Sequence, residues 1–254
     1  MPTMEVNGIN LHYEDVGDGP ALLFLHGWGV SGRVWQSCLP GLVRDHRVVT
    51  LDWRGCGRSD HPAEGNTIDG VAADVAAVIE KLGIRPTVVG SSIGALFATE
   101  LALARPDLVS RVVAVDSPGY WPSTGMRETV HDLRRRLVDD RAGTLAGWVP
   151  DWFGPKAARE LVDWTVRQLL DSGVYIDALF TEVTTYDPRP RLPELTVPIT
   201  YVHGELDTQI PLEVPRACAA ATPGARVHVI AGCGHVPHQE DPRAFTAALR
   251  TIAA

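Results

Sequence analysis

A serine stands at the centre of a short glycine pattern, Gly90-Ser91-Ser92-Ile93-Gly94. The apolar run Thr87–Val89 before it predicts a strand, and the segment Ile93–Ala104 predicts a helix. A strand that turns sharply into a helix exposes the side chain at the turn, and only small residues fit two positions before and after it. We therefore predict that Ser92 is a nucleophile. Ser91 fits poorly, because bulky residues would flank it at those two positions.

A histidine lies in a glycine-rich loop near the end of the chain, within Gly232-Cys233-Gly234-His235-Val236-Pro237. A serine hydroxyl is a weak nucleophile, so it needs a general base close by. The loop falls between the last predicted strand and the final predicted helix, where such a base is expected. His235 is therefore the predicted base, and His238 is the nearest alternative.

An acidic residue is also needed, to orient the histidine and stabilise its protonated form. Asp207 follows the predicted strand Ile199–Val202 and lies between the serine and the histidine in the chain. This order accompanies the Gly-x-Ser-x-Gly turn, so Asp207 is the predicted acid. Glu205 is a weaker alternative because it lies nearer the strand. Asp116 stays a serious alternative, because an acid at the end of its own strand could reach the same histidine.

Two backbone N–H groups are predicted to stabilise the oxyanion that forms when the serine attacks a carbonyl. One belongs to Ile93, directly after the serine, and the other to Trp28 in the segment His26-Gly27-Trp28-Gly29. Two roles stay open for the Trp28 indole, which either lines an acyl pocket or packs in the core. His26 is predicted to brace its loop by hydrogen bonding.

Short apolar runs alternate with helical patterns along most of the chain. Two brief alternations of polar and apolar residues around Asn7-Gly8 predict an N-terminal hairpin. Six later runs are typical of strands in a parallel sheet covered on both faces. They are Ala21–Leu25, Val48–Leu51, Thr87–Val89, Val112–Val115, Ile199–Val202 and Val227–Ile230. The sequence predicts an α/β fold with a doubly wound, mostly parallel sheet of about eight strands.

One long segment, residues 119–190, interrupts this alternation with helical patterns and no convincing strand. We interpret it as a helical cap inserted after the sixth strand of a single domain, residues 1–254. Its aromatic side chains either line a pocket between cap and sheet or form the core of the cap itself. The first interpretation makes candidate substrate-binding residues of Trp28, Tyr120, Trp121, Trp148 and Trp152.

The charge and the cysteines argue against several functional classes. The formal net charge is −8 and no basic stripe is present, which disfavours binding to nucleic acid or to an anionic membrane. Four cysteines show no metal-ligand spacing, so we predict reduced thiols and no metal or organic cofactor. Neither a signal peptide nor a membrane-spanning run is apparent. We expect a cytoplasmic protein that acts on a small hydrophobic molecule.

Several segments together resemble the α/β-hydrolase superfamily. They are His26-Gly27-Trp28-Gly29, Asp52-Trp53-Arg54-Gly55-Cys56-Gly57-Arg58-Ser59, the turn at Ser92, Asp207 and Gly234-His235. The resemblance implies that the loop Arg54–Ser59 is a structural turn. Haloalkane dehalogenases and epoxide hydrolases of this fold use aspartate where this chain has Ser92, so the serine argues against both classes. Carbon–carbon bond hydrolases of this fold often carry tryptophan at the position of Val236, so the valine weakens the resemblance to that group.

The pattern Gly-His-x-Pro-x-x-Glu-x-Pro, from Gly234 to Pro242, is similar to that of esterases, enol-lactonases and cofactor-free haloperoxidase-like members. The resemblance implies a serine hydrolase that cleaves a small or medium hydrophobic carboxylic ester or lactone through an acyl-enzyme on Ser92. Two alternatives stay open. One is a carbon–carbon bond hydrolase or lyase with the same residues, and the other is a small-ligand receptor with little or slow turnover.

Overall fold

An eight-stranded sheet forms the centre of the computed structural model, which describes residues 2–253. The strands are β1 Thr3–Val6, β2 Ile9–Val16, β3 Ala21–Leu25, β4 Arg47–Leu51, β5 Thr87–Ser91, β6 Arg111–Val115, β7 Ile199–Gly204 and β8 Arg226–Ile230. They follow the order β1-β2-β4-β3-β5-β6-β7-β8 in the sheet. The pairs β1–β2 and β2–β4 are antiparallel, and every later pair is parallel. This confirms the predicted α/β sheet.

The predicted strands are present, and they differ in burial according to their place in the sheet. Strands β5 and β7 are buried at every position, as expected where helices cover both faces. Strand β8 lies at the edge and is largely exposed, with 38% of Val229 accessible. The N-terminal hairpin turns at Asn7 and Gly8, whose φ angles of 47° and 79° suit the tight turn that joins two antiparallel strands.

Helices connect the parallel strands or follow the last of them. They are α1 Ile68–Leu82, α2 Ile93–Ala104, α7 Glu213–Ala221, α8 Pro237–Glu240 and α9 Pro242–Ala253. Helix α1 begins where the Thr67 hydroxyl accepts a hydrogen bond from the Gly70 N–H at 3.0 Å, and it ends at Gly83 with a φ of 60°. Helix α2 follows β5 directly and is buried along most of its length, so its first turn is fixed at the carboxyl end of that strand.

The predicted helical cap lies between β6 and β7. It contains α3 Thr124–Asp139, α4 Arg141–Trp148, α5 Arg159–Asp171 and α6 Leu179–Val183, with short 3-10 turns between them. No strand occurs between β6 and β7 in the part of the chain that the structure describes. The division into one domain with a cap over residues 119–190 stays a prediction. No helix within residues 2–253 has the length and apolarity needed to cross a bilayer.

The loop after β4 is a structural turn built around two buried carboxylates. Asp52 accepts hydrogen bonds from the backbone N–H groups of Gly32 at 2.6 Å and Arg58 at 3.0 Å. Arg54 forms a two-point ion pair with Asp74 on α1, with distances of 2.6 and 2.8 Å. The loop is thereby tied to the helix beside it and to the segment after β3.

We predict that Asp74→Ala lowers the free energy of unfolding by about 3–5 kcal/mol, because it leaves the buried Arg54 guanidinium without its counter-charge. Urea denaturation followed by circular dichroism measures the change. The matched control is Asp107→Ala, which removes an exposed partner of Arg105 and should have little effect. Equal changes in the two variants would contradict the structural role of the Arg54–Asp74 pair.

Candidate active site

The turn from β5 into α2 places Ser92 in a strained conformation, with φ 52° and ψ −120°. Its N–H donates to the Val115 carbonyl at 2.7 Å, which anchors the turn to the neighbouring strand β6. A Cβ at position 90 would collide with the carbonyl of Gly94, and one at position 94 would lie 2.6 Å from the carbonyl oxygen of His26. The glycines around Ser92 are therefore required by close backbone contacts.

The structure brings Ser92, His235 and Asp207 into one hydrogen-bonded line. The Nε2 atom of His235 lies 3.0 Å from Ser92 Oγ, and its Nδ1 atom lies 2.8 Å from Asp207 Oδ2. A carboxylate can only accept, so Nδ1 carries the proton and the bare Nε2 faces the serine hydroxyl. In this tautomer the histidine is able to take the serine proton.

The side chain of Asp207 is fully buried, and hydrogen-bond donors replace its lost hydration. Its Oδ1 accepts from the backbone N–H groups of Gln209 at 2.7 Å and Ile210 at 3.1 Å, while Oδ2 faces His235. Burial by itself would raise the pKa of Asp207, but attraction and hydrogen bonding from His235 and these N–H groups outweigh it and lower the pKa. Asp207 is therefore ionised.

The loop that carries His235 is attached to the cap. The His235 N–H donates to the Trp152 carbonyl at 2.7 Å. The two carboxylate oxygens of Glu240 accept from the Gly234 N–H at 2.8 Å and from the Gly154 N–H at 2.7 Å. Glu240 thus joins the histidine loop to the cap. The sequence pattern contained this residue, but its spacing alone gave it no role.

The alternatives to Asp207 and His235 occupy other places. Glu205 accepts from the Gly232 N–H at 2.9 Å and braces the base of the histidine loop. The ring centroid of His238 lies 4.2 Å from that of Trp35, and burial lowers the pKa of His238 to about 3. His238 is therefore neutral. The alternative acid Asp116 lies beside Asp207, fully buried, at the end of β6.

Asp116, Asp207 and His235 each offer one donor atom, and these three atoms lie within 4.8 Å of one another, a spacing that makes the group a candidate cation site. Ligands about 2.0–2.2 Å from a tetrahedral zinc ion are roughly 3.4 Å apart. Asp207 Oδ2 and His235 Nδ1 are 2.8 Å apart and share a proton, so their lone pairs do not point at a common centre. This geometry fits a hydrogen-bonded array.

The predicted oxyanion donors lie on the segments that flank Ser92. Ile93 is the first residue of α2, where an N–H has no acceptor within its own helix. Trp28 follows Gly27, at which a Cβ would lie only 3.6 Å from the Cβ of Ser92. The segment after β3 therefore runs against the serine. The role of the two N–H groups stays a prediction.

His26 braces the segment after β3, as the sequence indicated. Its Nδ1 lies 2.8 Å from the Gly27 carbonyl, and the Trp53 N–H approaches its Nε2 at 3.4 Å. The rings of His26 and Trp53 stack with centroids 5.2 Å apart. Burial lowers the pKa of His26 to about 4, so the ring is neutral and structural.

A cavity of about 260 Å³ lies between the cap and Ser92. Its walls are mostly apolar, and the only titratable side chains among the described residues that line it are two histidines, His235 and His238. Four of the five predicted substrate-binding residues line the cavity, namely Trp28, Trp121, Trp148 and Trp152. Cap helices contribute others that include Met126, Val130, Leu133, Phe180 and Val183.

Tyr120, the fifth predicted substrate-binding residue, is not among the cavity's lining residues. The guanidinium carbon of Arg189 lies 3.6 Å from the centroid of its ring, a cation–π contact at the base of the cap. Sequence reasoning also missed Phe180 and Gln209. Gln209 accepts a hydrogen bond from the Trp148 indole at 2.7 Å, and no sequence pattern marks such a contact.

Comparisons with known proteins identify the family of this fold. A family model described as alpha/beta hydrolase fold matches residues 20–242. The pimeloyl-[acyl-carrier protein] methyl ester esterase of Vibrio atlanticus is 30% identical over 96% of this chain and 98% of its own length. The chain therefore belongs to the α/β hydrolase fold family.

Two solved structures are similar over nearly the whole chain. An esterase from Exiguobacterium antarcticum superposes with a TM-score of 0.92 at 25% identity, covering 98% of this chain and 97% of that one. A bromoperoxidase from Bacillus anthracis superposes with a TM-score of 0.90 at 25% identity, covering 96% and 95%. The sheet and the cap are thus both shared with proteins of this family.

We predict that Glu240→Ala lowers kcat, because the N–H groups of Gly234 and Gly154 lose their acceptor and the His235 loop loosens. The lost hydrogen bonds should also destabilise the fold by about 1–3 kcal/mol. Ester hydrolysis and urea denaturation measure the two effects. Glu205→Ala, which removes a contact on the exposed side of the same loop, is the control and should keep a higher kcat. A reversed order would contradict this role of Glu240.

Proposed function

We propose that the protein is a serine hydrolase that cleaves a small or medium hydrophobic carboxylic ester or lactone through an acyl-enzyme on Ser92. The observation that carries this proposal is the line of hydrogen bonds from Ser92 through His235 to Asp207 at an apolar cavity. The names of the relatives support ester chemistry, since two are esterases.

The proposed reaction begins when Nε2 of His235 takes the proton of Ser92 Oγ as that oxygen attacks the substrate carbonyl. The N–H groups of Trp28 and Ile93 stabilise the resulting oxyanion. The protonated His235 then gives its proton to the leaving alkoxide, and an ester of Ser92 remains. His235 next activates a water molecule, which releases the acid and regenerates the serine.

The cavity supports the substrate class. A volume of about 260 Å³ lies just below the range of roughly 300–1,000 Å³ usual for ligand pockets, which favours a small or medium acyl group. Among the described lining residues, only the side chains of His235 and His238 can carry a charge. A charged acyl group would therefore lose its hydration without a compensating partner. An uncharged, apolar acyl group fits this environment.

The proposed nucleophile is tested by removing its hydroxyl group. Ser92→Ala should lower kcat/KM for p-nitrophenyl esters by a factor of about 10³–10⁶, because only weak catalysis by the oxyanion site and binding remains. Ser91→Ala is the matched control, and it should retain most of the activity since Ser91 belongs to the strand before the turn. The assay uses a series of esters from acetyl to decanoyl.

The outcomes separate the candidate functions. Equal activity of Ser92→Ala and wild type would refute Ser92 as the nucleophile. An inactive wild type that cleaves a vinylogous diketone would favour the carbon–carbon bond hydrolase. Tight ligand binding with very slow turnover would favour a receptor. Loss of ester hydrolysis in Ser92→Ala alone would support the proposal.

A second prediction concerns the acyl pocket. Val130 is buried on the cavity side of α3, so Val130→Phe should fill part of the space that a long acyl chain needs. We expect kcat/KM for the decanoyl ester to fall by about tenfold or more, with the acetyl ester less affected. Val138→Phe, on the same helix with 77% of Val138 exposed, is the control. An equal loss for all chain lengths would contradict acyl binding at this wall.

A further inference from the structure

A second carboxyl group, that of Asp116, lies beside the Ser92–His235–Asp207 array at the end of β6. Its side chain is fully buried, and its φ of 46° is a left-handed conformation that few non-glycine residues adopt. The Asp116 N–H donates to the Val202 carbonyl of β7 at 2.9 Å, which fixes the turn. The strand ladder therefore holds this carboxyl against the array, although the proposed reaction does not use it.

Two buried carboxyl groups at this separation do not both ionise. One oxygen of Asp116, one oxygen of Asp207 and one ring nitrogen of His235 all lie within 4.8 Å of one another. When two carboxylates occupy one buried site, the repulsion between their charges strongly raises the pKa of one of them. One of the pair is therefore neutral when the other is ionised.

The hydrogen bonds decide which carboxyl is neutral. Asp207 accepts from three donors, the ring of His235 and two backbone N–H groups. Asp116 accepts only from the Gly204 N–H, at 2.8 Å on Oδ1, and its Oδ2 has no partner among the described residues. Hydrogen bonds to the charged form favour ionisation, so the negative charge belongs on Asp207 and the proton on Asp116.

The surrounding titratable groups agree with this assignment. His203 faces Asp116 from β7, with its Nδ1 at 3.2 Å from Asp116 Oδ1, and its Nε2 bonds to the Ile210 carbonyl at 3.0 Å. A carbonyl can only accept, so Nε2 carries the proton of a ring whose pKa burial lowers. The bare Nδ1 offers an ionised Asp116 no donor. Burial raises the pKa of Asp116 well above its usual range, and repulsion from Asp207 and Glu240 adds to this.

We propose that Asp116 is a proton-bearing positioning residue, which stays neutral beside ionised Asp207 and ionises to orient His235 when the Asp207 carboxylate is absent. This inference rests on the proposed serine hydrolase. In the complete array the neutral Asp116 leaves Asp207 as the one negative charge that faces His235. Without Asp207, Asp116 releases its proton to solvent and its carboxylate accepts from Nδ1 of His235.

The activity test uses four proteins, namely wild type, Asp116→Asn, Asp207→Ala and the double variant. Asparagine tolerates a positive φ and keeps an oxygen that accepts from the Gly204 N–H, so it replaces Asp116 with little strain. We expect Asp116→Asn to lower kcat/KM by a few fold, Asp207→Ala by about 10²–10³, and the double variant by about 10⁴. Both variants should show the acid limb that comes from protonation of His235, and Asp207→Ala should show a further ionisation, that of Asp116, which the double variant lacks.

Glu205→Gln in the Asp207→Ala background is the matched control, since Glu205 braces the same loop from outside the array and should add no comparable loss. Two results would overturn the inference. One is equal kcat/KM in Asp207→Ala and the double variant. The other is a loss in Asp116→Asn as large as that in Asp207→Ala, which would mean that a charged Asp116 is needed in the complete array.

A second measurement does not depend on activity. A carboxyl with a raised pKa in the folded state holds a proton that the unfolded state has lost, so it contributes less stability as pH rises above about 3.9. The Tm of Asp116→Asn should therefore rise relative to wild type as the pH increases from about 5 to about 8. A pH-independent difference would overturn the inference. If the wild type hydrolyses no ester but the Tm difference still depends on pH, the result would count against the proposed function alone.

Discussion

The hydrogen bond from the Ser92 N–H to the Val115 carbonyl is the interaction on which the rest of the site depends. A non-glycine residue with positive φ costs about 1–3 kcal/mol, and the conformation persists only where the surrounding structure enforces it. The next strand repeats the arrangement, because the Asp116 N–H bonds to the Val202 carbonyl of β7. Each strained residue is thus held by the strand beside it, and the parallel sheet sets the position of both side chains.

A buried negative charge is the second constraint. The Asp207 side chain has no access to solvent, so two backbone N–H groups and the ring of His235 replace its hydration. Because the two backbone donors are fixed by the turn after β7, the carboxylate and the imidazole would not need to reorganise when positive charge develops on the ring in the proposed reaction. The apolar cavity above them strengthens these electrostatic interactions by excluding water.

Local patterns predicted most of the sheet and the Ser92, His235 and Asp207 group, because a glycine-flanked turn and apolar runs are set by neighbouring residues. Contacts between distant segments were beyond such patterns. Tyr120 contacts Arg189 and does not line the cavity, and the exposure of β8 follows from its place at the sheet edge. The sequence patterns offer Asp116 and Asp207 as alternative acids, whereas the fold brings both carboxyl groups to one place.

The attachment of the histidine loop to the cap has a consequence for recombination between homologues. The Trp152 carbonyl accepts a hydrogen bond from the His235 N–H, and the Gly154 N–H donates one to Glu240. Segments about 80 residues apart in the chain are therefore held together by hydrogen bonds. A chimera that exchanged the cap alone would separate these partners and disturb the imidazole together with substrate selectivity. A designed exchange of caps therefore has to transfer the segment around Trp152 together with the His235–Glu240 loop.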